Sequence, residues 1–312
     1  MESRTGDASP LLIIRPARSD DRPAMERICA HTWDGGDYIP EVWDDWLADE
    51  RGVMIVGELD APGGQVVALQ KITFQTPSQV WLEGMRVDPD YRGQGIAGRF
   101  LEYSLAYAGE HGARVVRLGT GDYNKPVHTL TARAGMEHVG TCVLWSAEPL
   151  AGGPGPAILA PEHAGQVRAF LQESPVLAHS HGLYSAHWAW QELSIEQAIQ
   201  FLEGGQVAAQ LTPDGELAAL ALVLFEPGDD AVWIGLADGQ PSAVTTLATA
   251  IRAHTAQLGA QRVRTMLPDV GWLRDAFGAA GYGPGDWEGE LWIFESRLVQ
   301  SLRLDQSKPE IL

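Results

Sequence analysis

The pattern of apolar and polar positions divides the first half of the chain into a regular succession of elements. Residues 11–16 read as a short buried strand, and residues 20–32 as a helix with Ser19 or Asp20 as N-cap and Pro23 in its first turn. The segment from His31 to Pro40 is too rich in Gly and Asp for regular structure, and a helix is expected over 41–49. Residues 53–59 and 65–75 predict strands on either side of Asp60-Ala61-Pro62-Gly63-Gly64, a hairpin signal. Then come a strand over 80–87, a helix over 95–110 with Ala97, Leu101, Leu105 and Ala108 on one face, and a strand over 114–118. A helix over 124–134 and a strand over 140–146 close the unit.

A Pro/Gly-rich stretch, Glu148 to Pro156, reads as a linker, and short echoes of the first half follow it. Gly112-Ala113-Arg114-Val115-Val116-Arg117 returns as Gly259-Ala260-Gln261-Arg262-Val263-Arg264. Ala134-Gly135-Met136 returns as Ala280-Gly281-Tyr282, and residues 141–145 are echoed by 290–293. Three echoes in one order favour a duplicated fold. At 312 residues the chain is also long enough for two domains. The expected division is a tail over 1–10, a first domain over 11–148, a linker over 149–157, a second domain over 158–302 and a tail over 303–312.

Charge and cysteine usage narrow the function classes. A net charge of −19 opposes binding to phosphate backbones, so nucleic acid is not an expected partner. Two cysteines, Cys29 and Cys142, support neither a disulfide framework nor a thiolate metal site. No apolar run approaches the ~20 residues that span a bilayer, and residues 1–10 carry no signal-like core, so a cytoplasmic protein without membrane contact is expected. His179-Ser180-His181 with His187 lacks acidic or Cys partners at supporting spacing, and no metal is expected. Hydrolase motifs of the Gly-x-Ser-x-Gly or His-Glu-x-x-His kind are missing.

The glycine loop carries the chemistry. Gly93-Gln94-Gly95-Ile96-Ala97-Gly98 spells a dinucleotide-binding fingerprint, which would make the protein a nucleotide-dependent oxidoreductase. Against this, Asp88-Pro89-Asp90-Tyr91-Arg92 separates the strand from the first glycine, and several strands precede it. A second spelling, Arg92-Gly93-Gln94-Gly95-Ile96-Ala97, presents backbone N–H groups to a pyrophosphate at a helix N-terminus, with the helix dipole favouring the anion.

With its flanks, Trp81-Leu82-Glu83-Gly84-Met85-Arg86-Val87-Asp88-Pro89-Asp90-Tyr91-Arg92-Gly93-Gln94-Gly95 resembles the cofactor core of the GNAT N-acetyltransferase superfamily. The likeness covers about residues 11–145 in element order. It implies an α+β fold of tandem GNAT-like domains, each a mixed, mostly antiparallel sheet flanked by helices, the second degenerate. It also implies acetyl-CoA as co-substrate, with backbone at Met85, Arg86 and Val87 pairing with pantetheine. Arg92, Gly93, Gln94, Gly95, Ile96 and Ala97 would hold the pyrophosphate, and Asn124 matches a family asparagine near the thioester. The sequence departs from the family at Thr131, where a tyrosine often protonates the departing thiolate; Tyr123, His128, water or no acid at all is left for that step. The segment His31 to Pro40 with Trp43 and Trp46 also resembles the acceptor side of histidine N-acetyltransferase-like proteins.

Amine acetylation needs a deprotonated amine, and Glu83 is the candidate to accept that proton. Strand alternation places it on the face of Trp81 and Met85. Trp33, Asp34, Asp37 and Tyr38, with Trp81, are candidates to hold a small cationic or zwitterionic amine. The expected function is acetyl transfer to a small primary amine, such as an amino acid like histidine, by direct attack in a monomer or homodimer. A CoA-binding or partner-binding protein without turnover is the non-enzymatic alternative.

Overall fold

A computed structural model describes residues 11–60, 64–226 and 229–298. The expected tails over 1–10 and 303–312 and the tip of the 60–64 hairpin lie outside the described residues. The chain forms two compact units.

The first unit holds, among the described residues, 11–118, 128–137 and 295–298. Its elements run β1 (Leu12–Pro16), α1 (Arg22–Cys29), α2 (Ile39–Ala48), β2 (Gly52–Leu59), β3 (Val66–Thr76), β4 (Gln79–Val87), α3 (Ile96–Glu110), β5 (Val115–Gly121) and α4 (Lys125–Arg133). The helix cap differs from expectation: Asp21, not Ser19 or Asp20, precedes α1, and its carboxylate binds Arg15 at 2.8 Å instead of capping the helix. Strands β1 to β4 pair antiparallel in sequence order, and β5 joins β4 in parallel. A helix-length connection is what a parallel neighbour requires, and α3 supplies it. α3 buries Ile96, Phe100, Leu101, Ser104 and Ala108, so the inner face is rotated from the expected stripe. The Ser104 hydroxyl is satisfied by Gln70 Oε1 at 3.0 Å. On the opposite face α1 and α2 pack Met25, Ile28, Ile39 and Trp43 against Met54, Val56 and Leu69.

The second unit holds 119–127 and 138–294. Its remaining elements are β6 (Glu137–Ala147), β7 (Ala157–Ile158), α5 (Ala164–Gln172), α6 (Pro175–His179), β8 (Leu183–Ala186), β9 (Ala189–Glu192), α7 (Ile195–Glu203), β10 (Val207–Leu211), β11 (Leu217–Leu224), β12 (Ala231–Gly239), α8 (Pro241–Leu258), β13 (Arg262–Pro268), α9 (Gly271–Ala279), β14 (Gly283–Pro284) and β15 (Leu291–Arg297). Its sheet runs β6-β13-β12-β11-β10-β7, with β12 and β13 parallel and the other pairs antiparallel. The repeated Gly-Ala-x-x-Val-Arg segments lead into β5 and β13, in each case the parallel partner of the strand before the long helix. Gly135 and Gly281 both take left-handed backbone after their helices, φ 70° and 83°, which explains the recurring glycine.

The two units do not follow the linear halves of the chain. Strand β6 follows α4 in sequence, yet it pairs with β13 in the second sheet. Residues 295–298, at the far end of β15, return to the first unit, where Leu298 N–H donates to Arg114 O at 2.8 Å.

Candidate active site

The strand that carries Glu83 is bent by a bulge. Lys71 of β3 faces Glu83 and Leu69 faces Arg86, so Gln70 alone stands opposite Gly84 and Met85. Gly84 has φ 65°, and a Cβ there would lie 2.7 Å from the Trp46 ring, so only glycine fits. The extra residue resets the alternation. Arg86, rather than the expected Met85, shares the face of Glu83.

That face lies under the segment from residue 31 to residue 49. Asp37 is buried and accepts two bonds from Arg86, from Nε at 2.7 Å and from Nη2 at 3.1 Å. Burial works against its charge, but the Arg86 bonds and the Ile39 N–H hold the carboxyl below the usual carboxylate range. Asp37 therefore fixes Arg86 and is not open to a ligand. Trp33 is 58% exposed, takes a left-handed φ of 46° and lies over the Arg86 guanidinium at 4.9 Å. Tyr38 stacks on Trp33 at 6.2 Å and meets Trp46 edge-on at 5.8 Å. The backbone of Asp34 lies in the short 3₁₀ turn Trp33–Gly35, while its side chain lies outside what the structure describes. Trp81 is buried within the sheet, with Arg117 as its register partner on β5, and presents nothing to an acceptor.

Glu83 itself is half-buried, and Thr73 Oγ1 donates to its Oε1 at 3.3 Å. Burial pushes its carboxyl above the ordinary range, opposed by the Thr73 bond and the Lys71 charge. Burial, then the nearby Glu83 charge, push the Tyr38 phenol up to about 12. Lys71, Thr73 and Asp49 were not among the residues singled out from sequence. The signal was a lysine in the middle of a strand run, between Leu69 and Ile72-Thr73.

The other edge of β4 is open where chemistry needs it. β4 and β5 pair from Gln79 with Val115 to Leu82 with Leu118, and no further. Beyond Leu82, backbone at Met85, Arg86 and Val87 keeps only its β3 neighbour. Residues 88–95 then lead to α3. Gly93 and Gly95 have φ 76° and 77°, with no atom within 4 Å of where a Cβ would stand. The first helical bond runs from Arg99 N–H to Gly95 O at 3.2 Å, so the preceding N–H groups of α3 have no acceptor within the helix. Arg92 Nε donates to Val87 O at 3.1 Å and Gln94 Nε2 to Asp90 O at 3.5 Å, which ties the loop to the strand end. Open space above paired glycines and unpaired N–H groups fit a pyrophosphate. The strand before this loop belongs to an antiparallel meander, unlike the parallel doubly wound sheet that a dinucleotide fingerprint requires.

Residues 20–136 match the sequence profile of the acetyltransferase (GNAT) family. That segment, rather than the whole chain, carries the likeness to the GNAT acetyltransferases. Curated sequences similar to this chain include histidine N-acetyltransferase of Oreochromis niloticus, 30% identical over 28% of this chain and 25% of that protein. Another is the probable N-acetyltransferase 16 of Homo sapiens, 30% identical over 30% of this chain and 25% of that protein. The chain thus spans about a quarter of the length of the curated relatives it matches. In fold it is similar to a GCN5-related N-acetyltransferase from Sphaerobacter thermophilus, with a TM-score of 0.62 at 13% identity over 92% of this chain and 95% of that one. A tandem GNAT protein from the clavulanic acid biosynthesis pathway aligns over 92% of this chain and 98% of its own, with a TM-score of 0.53 at 13% identity.

Two positions that the resemblance singled out have hydrogen-bond partners of their own. Thr131 is fully buried and donates to His128 O at 3.0 Å, so its hydroxyl is occupied within α4. Asn124 belongs to the second unit, where its amide donates to Thr120 Oγ1 at 2.9 Å. Both cysteines are buried and burial raises both thiols, Cys29 to about 12, so neither is a ready nucleophile. No group of three or more metal-ligating side chains occurs among the described residues. No helix among them is long and apolar enough to cross a membrane.

Proposed function

We propose that the protein transfers the acetyl group of acetyl-CoA to the primary amine of a small molecule, and that Glu83 accepts the amine proton. The observation that carries this reading is the placement of Glu83 at the bulge, where β4 parts from β5. Residues 92–97, with Met85, Arg86 and Val87, would hold the CoA. Acetyl-CoA supplies the acyl group as a thioester. The amine lone pair forms the new C–N bond, the C–S bond breaks, and CoA departs as a thiolate. A thiol pKa of about 8.5 makes that thiolate a tolerable leaving group, so the occupied Thr131 hydroxyl does not block turnover.

The acceptor class follows from local charge. Asp37 is paired with Arg86, and Asp49 with Arg51 and Lys71, whereas Glu83 accepts from the Thr73 hydroxyl through Oε1 and keeps Oε2 to meet an amine. Trp33 and Tyr38 add an exposed aromatic wall. A small amine with an apolar or aromatic body, such as a free amino acid, fits this set. The relatives called histidine N-acetyltransferase support the same class.

Glu83 works only as the carboxylate, and burial raises its pKa. Activity should therefore fall as pH drops through a limb above the ordinary glutamate value of about 4.3. Glu83→Gln should lose about 100-fold or more in kcat and abolish that limb. A variant within about twofold of the parent, with the limb unchanged, removes Glu83 from the chemistry, whereas no amine-dependent turnover in the parent itself favours a protein that binds CoA without turnover.

A further inference from the structure

A buried lysine faces Glu83 across the sheet. Lys71 is 1% exposed, and its Nζ donates to Trp46 O at 3.0 Å and pairs with Asp49 Oδ2 at 3.2 Å. Both partners belong to the C-terminal end of α2 or the residue that follows it. Burying an ammonium in a strand is costly, and an apolar side chain of similar length would pack there without that cost. A buried cation at this position calls for a reason beyond packing.

We propose that Lys71 is a positioning residue acting through Glu83: its ammonium anchors the end of α2 to the sheet and favours the charged, proton-accepting form of the Glu83 carboxylate. The inference rests on the proposed role of Glu83. The register sets the two side chains opposite each other on one face, while the nearer contacts of Lys71 hold it in place. Trp46, in the last turn of the same helix, packs its ring over Gly84, so the anchor also maintains the bulge that orients Glu83. The charged and titratable groups that face Glu83 are Lys71 on β3, Asp49 and Arg51 in the turn after α2, and Tyr38 before α2; Thr73 on β3 donates to it. Asp49 acts against the charged form, and Lys71 and Arg51 act for it.

The test compares pH profiles of kcat/KM for acetyl transfer in Lys71→Met, Lys71→Arg, Glu83→Gln and the Lys71→Met/Glu83→Gln pair. Removing the cation should move the acidic limb up by about one pH unit, so that activity below the parental midpoint falls about tenfold. Lys71→Arg keeps the charge and should keep the limb. In the Glu83→Gln background Lys71→Met should add nothing, because its effect runs through the missing carboxylate. CoA affinity by calorimetry reports that each variant is folded. If Lys71→Met does not fold, Lys71→Gln keeps a donor for the Trp46 carbonyl and should show the same shift. An unmoved limb in the uncharged variant, or losses that multiply in the double variant, overturns the proposal. A parental profile in Glu83→Gln alone instead overturns the role of Glu83 on which it rests.

Discussion

Arg117 and Glu295 stand 178 positions apart in the chain and form a buried ion pair in the first unit. Arg117 Nε and Nη2 both reach Glu295 Oε2 at 2.7 Å, and Nη1 donates to Gln79 Oε1 at 2.6 Å. The side chains are 1% and 7% exposed. Removing one partner of such a pair costs about 3–5 kcal/mol, because the other charge stays buried without its counter-charge. Glu295→Ala should lower the urea midpoint accordingly. A chain ending at Pro149 lacks both Glu295 and Leu298, whose N–H donates to Arg114 O, and it should fail to fold cooperatively. A soluble, cooperatively unfolding fragment of that length would contradict the exchange of segments between the two halves.

The glycine loop offers a clean substitution. A side chain at Gly95 meets no neighbour within 4 Å, though its φ of 77° is unfavourable for any L residue. Gly95→Asp should therefore fold with a modest loss of stability, about 1 kcal/mol. Its carboxylate stands where the pyrophosphate is expected. Calorimetry should show a loss of CoA affinity of at least about tenfold, whereas unchanged affinity in a folded variant places the CoA elsewhere.

The second unit has the same parallel strand pair but not the loop. Gln240 alone separates β12 from α8, where residues 88–95 separate β4 from α3. Pro241 removes a donor from the first turn of α8. Asp238 is fully buried, accepts the Val176 N–H at 3.2 Å and the Gly239 N–H at 2.6 Å, and binds the Ser174 hydroxyl. A fixed carboxylate next to the would-be anion site repels a pyrophosphate. Saturation binding should give one CoA per chain, and two would contradict this account.

The order of elements over the first half was legible in the sequence because amphipathic periods and glycine breaks mark strands and helices directly. The loop at Gly93 and Gly95 was legible for the same reason, since left-handed backbone selects glycine. Other features needed the structure. A period of two says which side chains share a face, but not that an extra residue at Gly84 moves Arg86 onto the face of Glu83. Asp37 looked like an acceptor ligand because nothing in a linear segment shows an arginine 49 positions away. Strand β6 reads as apolar alternation wherever it pairs, so its place beside β13 was hidden.

Acetyl transfer from CoA to an amine, proposed for the bulged strand, is measured by incubating the protein with acetyl-CoA and a panel of free amino acids and small amines. Released thiol is measured against acetylated amine by mass spectrometry, for the parent and for Glu83→Gln. Amine-dependent thiol release should be matched one to one by acetylated product and be lost in Glu83→Gln. Thiol release that yields no acetylated amine, or no amine-dependent release across the panel from a protein that binds CoA, would contradict it.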